Sequence, residues 1–172
     1  LVFTYDADGV TMEYTGYESQ IIKQTDVNML AYPLGVVTDR DQIIRDIDYY
    51  FGRIDPNGPA MSNAIIAVLH ARLGDPETAF KVFKKSYTDK LRPPFGVLSE
   101  NANNSRVSFA TGLGGILQSV IFGFAGLEIT EQGIIQLPTK IPSHWKSLTV
   151  TGVGVDKKTY KVENPDYTRN QR

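Results

Sequence analysis

The sequence contains no cysteine, which excludes a disulfide framework and any thiolate-ligated metal site. Its two histidines, His70 and His144, lie far apart in the chain and offer no metal-binding spacing. An excess of one charge is also missing: 18 Lys+Arg face 19 Asp+Glu. The resulting −1 supplies no pull toward nucleic acid or an anionic membrane. Long hydrophobic runs are absent too. The most apolar stretch, Gly112 to Leu127, is broken by glycines and Gln118 and is shorter than the ~20 residues that cross a bilayer. Neither a nucleic-acid partner nor a membrane span is expected. What is present is ordinary globular composition, 41% hydrophobic and 22% charged, which excludes a disordered chain. The opening Leu-Val-Phe-Thr-Tyr, without an initiator Met, reads as an excerpt from a longer polypeptide.

Hydrophobic spacing divides the chain in two. Ile21 to Leu30 reads as a short helix stopped by the Tyr32-Pro33 step. From Asp39, the positions Ile43, Ile44, Ile47, Tyr50, Phe51 and Ile54 follow the spacing of one buried helix face. Asp55-Pro56-Asn57-Gly58 is turn chemistry, and Pro59 opens a second helix that Gly74 closes. Asp75-Pro76-Glu77 restarts at once as N-cap and first turn of a third. Arg92-Pro93-Pro94 ends the helical run, 95–111 reads as a polar loop, and Leu113 to Phe124 as a fourth helix. That last helix is apolar all round and is expected to be the most buried element. After Gly126 the period changes to two, and short strands are expected at 127–130, 134–137, 148–155 and 159–162. The fold class expected is mainly α with a C-terminal β-sheet: helices over 1–126, one small antiparallel sheet over 127–163, and a polar tail over 164–172.

Four segments could carry chemistry. The loop Gly96 to Arg106 holds a single carboxylate, Glu100, flanked by Ser99, Asn101 and Asn103. Such a carboxylate could serve as a general base on water, or the stretch could be a solvated loop of turn-forming asparagines. Lys23 and Gln24 together can donate to and accept from sugar hydroxyls, or simply form a charge cluster at a helix start. Gly112-Leu-Gly-Gly115 could cradle a phosphate or let two helices pack closely. Trp145 could stack on a sugar or anchor the sheet.

The order of the motifs is more specific than any one of them. Tyr14-Thr-Gly-Tyr17, Ile22-Lys-Gln-Thr-Asp26-Val27 and Leu30-Ala-Tyr-Pro-Leu34 come first. Gly58-Pro-Ala-Met-Ser62, Ser99-Glu-Asn101, Phe109-Ala-Thr-Gly-Leu-Gly-Gly115 and Phe122-Gly-Phe-Ala-Gly-Leu127 follow. Over about residues 5–155 this series resembles glycoside hydrolase family 65, from the late helices of its (α/α)6 barrel into its C-terminal β domain. The family contains disaccharide phosphorylases and inverting hydrolases, the latter including acid trehalases, kojibiose hydrolases and glucosylgalactosyl-hydroxylysine glucosidases.

The resemblance implies roles. Lys23 and Gln24 match the pair that holds the glucose ring, and Glu100 matches the general base of the hydrolytic branch. Thr25 stands where the family usually has Ala. Phosphorylases carry a His before the Gly-Gly pair. Phe109-Ala110-Thr111 has none, which favours water over phosphate as nucleophile. The family's general acid lies in an Asp-Glu-Tyr-His type motif that this sequence lacks, so the piece alone is expected to be catalytically incomplete. The implied partners are a glucose-containing disaccharide or glycan and the remainder of its own catalytic domain. No metal or organic cofactor is implied, and a periplasmic or secreted placement is favoured.

Overall fold

The computed structural model describes residues 2–103 and 108–167. Five helices, α1 (Asp26–Met29), α2 (Arg40–Phe51), α3 (Ala60–Arg72), α4 (Pro76–Lys85) and α5 (Ala110–Gln118), precede most of the strands. A π-helical segment, Ser119–Phe124, continues α5. The strands pair as antiparallel hairpins: β1 (Leu91–Arg92) with β2 (Val97–Leu98), β3 (Leu127–Thr130) with β4 (Gly133–Gln136), and β5 (Ser147–Val153) with β6 (Lys158–Glu163).

Local chemistry places the helix ends. The Asp39 carboxylate accepts from the Gln42 backbone N–H at 2.9 Å, capping α2. Asp75 does the same for α4 through Thr78, with Pro76 in its first turn. Gly74, at φ +85°, takes the left-handed conformation that turns the chain from α3 into α4.

The core centres on α3. Ala60, Ala64, Ile66, Ala67, Val68, Leu69 and Ala71 are all buried there, between α4 on one side and α5 on the other. Close approach of α5 depends on glycine. A Cβ at Gly115 would sit 2.9 Å from the Ala64 Cβ, and one at Gly112 would lie 3.0 Å from the Ala60 Cβ. The Gly-Leu-Gly-Gly run therefore serves helix packing. A smaller cluster of Val10, Tyr17, Ile22, Val27 and Tyr50 packs the first 30 residues on α2.

Three expectations are corrected. The Leu113–Phe124 helix is not the most buried element, since Leu113 and Leu117 are 45% and 60% exposed. An apolar surface shows a need for neighbours, and among the described residues only one face of the helix has them; α3 takes the central place. The 127–163 region is not one sheet but two separate strand pairs, linked by the Tyr160 hydroxyl donating to the Ile134 carbonyl at 3.1 Å. Pro138 and Pro142 cannot donate to a ladder, and the segment between the pairs packs back on the helices instead. There Ser143 N–H donates to Glu77 Oε1 at 2.6 Å, and Trp145 stacks near Phe80 and Phe124, at 5.6 and 5.1 Å between ring centres. Finally, only Asp26–Met29 of the Ile21–Leu30 segment is helical. Ile22 instead bridges Ile54 in parallel, accepting from Asp55 N–H and donating to the Arg53 carbonyl at 2.9 Å each.

Candidate active site

Two segments remote in sequence meet at the N-terminal end of α3. The first is 22–24. Its Ile22 bridge fixes it beside the turn at Asp55–Gly58, and the Lys23 carbonyl accepts from the Ser62 hydroxyl at 3.4 Å. Gly58 is required at this crossing. A Cβ there would lie 2.7 Å from the Asp55 carbonyl and 3.3 Å from that of Lys23, both backbone atoms.

The second segment is the β1–β2 hairpin: α4 stops at Lys85, short of the expected end of the helical run at Arg92-Pro93-Pro94, so β1 takes the end of that run and β2 falls in the expected loop. Leu91 faces Leu98 and Arg92 faces Val97. One step further down the ladder, Ser99 N–H and hydroxyl reach the Lys90 carbonyl at 2.9 and 3.0 Å. Glu100 follows immediately, and its carbonyl accepts the Ala60 N–H, one of the orphan donors of the α3 N-terminus, at 3.2 Å. Beyond it, Arg92 donates to the Asn101 carbonyl at 2.9 Å, and the Asn103 amide reaches Asn57 at 2.7 Å. Asn104, Ser105 and Arg106 of the sequence-predicted loop lie outside the described residues.

This construction brings Lys23 Nζ to 3.6 Å from Glu100 Oε1. Both side chains reach solvent, 68% and 37% exposed respectively. Gln24 lines a cavity of about 220 Å³ with Thr25, Met61, Ser62, Thr111 and Gln118. Lys23 and Gln24 also border a cleft of about 310 Å³ lined by Glu13, Tyr14, Tyr17 and Asp26. Glu13 is a group that sequence reasoning passed over. Burial and then the nearby Asp26 push its carboxyl up, opposed by a hydrogen bond from the Val27 backbone. Its place just ahead of the Tyr14–Tyr17 motif was the signal available.

Chemically, a carboxylate and an ammonium side by side can order a water or a sugar hydroxyl. Inverting glycoside cleavage needs two carboxyl groups roughly 6.5–9.5 Å apart, one as acid and one as base. Among the described residues no group of three or more His, Asp or Glu is arranged to hold a metal, and no helix is long and apolar enough to cross a membrane. Trp145 lies in the core contacts described above and not beside Lys23 or Glu100.

Comparison with known proteins places the chain in a family. Residues 9–95 match the model of the glycosyl hydrolase family 65 central catalytic domain. The chain is 49% identical over 157 residues to a kojibiose hydrolase of Mucilaginibacter mallensis, covering 91% of this chain and 23% of that protein. It is 47% identical to a kojibiose hydrolase of Flavobacterium johnsoniae, with 90% and 23% covered. To a protein-glucosylgalactosylhydroxylysine glucosidase of Dictyostelium discoideum it is 33% identical, with 87% and 21% covered. The chain belongs to glycoside hydrolase family 65. It spans about a quarter or less of the length of these curated relatives.

Proposed function

We propose that this chain is the C-terminal portion of an inverting glycoside hydrolase that cleaves an α-glucosidic bond of a disaccharide or glucosyl-glycan. Residues 1–126 contribute late helices of an (α/α)6-barrel catalytic domain, and 127–163 begin a C-terminal β domain. The exposed Leu113 and Leu117 face of α5 supports further helices packing there, from the remainder of the catalytic domain. Glu100 is the general base, removing a proton from water on the side of the sugar opposite the leaving group. Lys23 and Gln24 hold the glucose ring, and the general acid comes from outside this chain. The names borne by the relatives support trehalose, kojibiose or a similar disaccharide or glucosyl-glycan, with kojibiose the first substrate to assay.

The observation that carries this reading is the 3.6 Å approach of Lys23 to Glu100, two motif residues that lie far apart in the sequence. The absence of histidine from Phe109–Gly115 supports water over phosphate as the nucleophile. The test uses the complete protein with kojibiose. Glu100→Gln is expected to lower kcat by about 10²–10⁴-fold, the usual contribution of a general base, while leaving KM nearly unchanged, and azide is expected to restore part of the rate. Glucose 1-phosphate formed in phosphate buffer would sink the hydrolase reading.

A further inference from the structure

Among the described residues Lys90 is the buried cation, 3% exposed, and the proposed reaction makes no use of it. An ammonium taken out of water costs several kcal/mol unless it is paired and hydrogen-bonded, so its partners show what holds it there. Its Nζ lies 2.8 Å from Asp89 Oδ1 and donates to the Lys85 carbonyl at 3.2 Å. Lys85 is the last residue of α4, where carbonyls lack helical partners and a cation is favoured. The Lys90 backbone N–H donates to the Tyr87 carbonyl at 2.9 Å. Its own carbonyl receives both the N–H and the hydroxyl of Ser99, one residue before Glu100.

We infer that Lys90 is a positioning residue for Glu100, fixing the base of the β1–β2 hairpin to the end of α4 so that the carboxylate stands at a set height over the start of α3. The inference rests on the reading of Glu100 as general base. Two anchors define that height: α4 through Lys90 and Ser99 on one side, and α3 through the Ala60 N–H on the other. Loss of the Lys90 ammonium frees the Lys85 carbonyl and Asp89, so that on the α4 side the hairpin base keeps only the bond from the Lys90 backbone N–H to the Tyr87 carbonyl just past the helix end. A general base must come within hydrogen-bond reach of the water it activates, and a misplacement of about 1 Å can cost on the order of 10²-fold in rate. Lys23 and Gln24 hang from a separate segment, so sugar binding does not depend on the Lys90 anchor.

The test is a double-mutant cycle on kojibiose hydrolysis in the complete protein, with Lys90→Met, Glu100→Gln and the pair. Lys90→Met is expected to lower kcat by roughly 10–10²-fold with KM within about threefold. In the Glu100→Gln background the same change is expected to alter kcat by less than twofold, because there is no base left to misplace. An equal loss in both backgrounds, or no loss in either, overturns the inference. Should Lys90→Met not fold, Ser99→Ala takes its place in the cycle. It removes the hydroxyl contact without emptying a buried charge site, and the same two outcomes decide. Glu100→Gln retaining full turnover instead overturns the base reading itself, a result that the single variant shows independently of Lys90.

Discussion

A methyl group at Gly115 should destabilise the protein for a reason that one second change removes. The Cβ of Gly115→Ala would stand 2.9 Å from the Ala64 Cβ on α3, with Met61 atoms next at 3.6 and 3.8 Å, which are ordinary contacts. Two methyl carbons settle near 3.5–4.0 Å, so α5 must shift away from α3 along a stripe that also includes Gly112 and Gly123. Overpacking of this kind costs about 2 kcal/mol, and the better helix propensity of Ala over Gly returns up to about 1 kcal/mol. The single variant is expected to lose about 1 kcal/mol. Ala64→Gly loses a similar propensity increment plus a buried methyl, about 2 kcal/mol in all.

The double variant only moves the methyl from one helix to the other. Its propensity terms cancel and the space between the helices is filled again, so it is expected within about 0.5 kcal/mol of the parent, a coupling of about 2–3 kcal/mol. Urea unfolding of the four proteins, followed by far-ultraviolet circular dichroism, measures it. Additivity within about 0.5 kcal/mol would refute the contact, because residues that do not touch cannot rescue each other.

Asp46 is a buried residue of α2, and Thr11 N–H, the Thr11 hydroxyl and the Gln42 amide donate to it at 2.8–2.9 Å. Burial pushes its carboxyl up, outweighing the hydrogen bonds that pull it down. A raised folded-state value means that its contribution to stability is complete below the unfolded value of about 4 and is lost as pH rises through the folded value. Asp46→Asn should remove that slope from a stability–pH profile while costing about 1–3 kcal/mol through the donors left short of an acceptor; an unchanged slope counts against the assignment. Trp145→Ala should cost about 3–5 kcal/mol in thermal or urea unfolding, because its ring bridges Phe80 and Phe124; a loss under about 1 kcal/mol, as for a surface position, would place the residue outside the core.

Caps and breakers were readable wherever the signal is local. Asp39, Gly74 and the Asp75-Pro76 pair mark helix ends through contacts within four residues, and the structure has its helix ends there. Burial was not readable in the same way. The apolar run of α5 states what the helix could bury, while its actual neighbours depend on which elements reach it. The β1–β2 hairpin escaped because two-residue strands around Pro93-Pro94 have no period to detect. Lys90 sits in a polar stretch, Asp89-Lys90, and nothing local predicts that its ammonium would fold inward. The meeting of Lys23 with Glu100 follows from no spacing rule either, and only the resemblance to a family pointed to it.

That meeting is produced by the backbone and not by attraction between the charges. An exposed ion pair contributes about 0.2–1 kcal/mol, too little to hold two chain segments against their entropy of about 1–2 kcal/mol per ordered residue. The segments are held by the Ile22–Ile54 bridge, the Ala60 N–H to the Glu100 carbonyl, and the Ser99 contacts to Lys90, each a hydrogen bond worth about 1 kcal/mol net. Gly58 admits the crossing that sets their separation. The side chains at the end of this scaffold are therefore left uncommitted, with Lys23 and Glu100 both reaching solvent. On the proposed reading that is the useful arrangement: main-chain bonds, with the Lys90 anchor at the hairpin base, fix where the carboxylate stands, and its hydrogen-bonding capacity is kept for water and sugar.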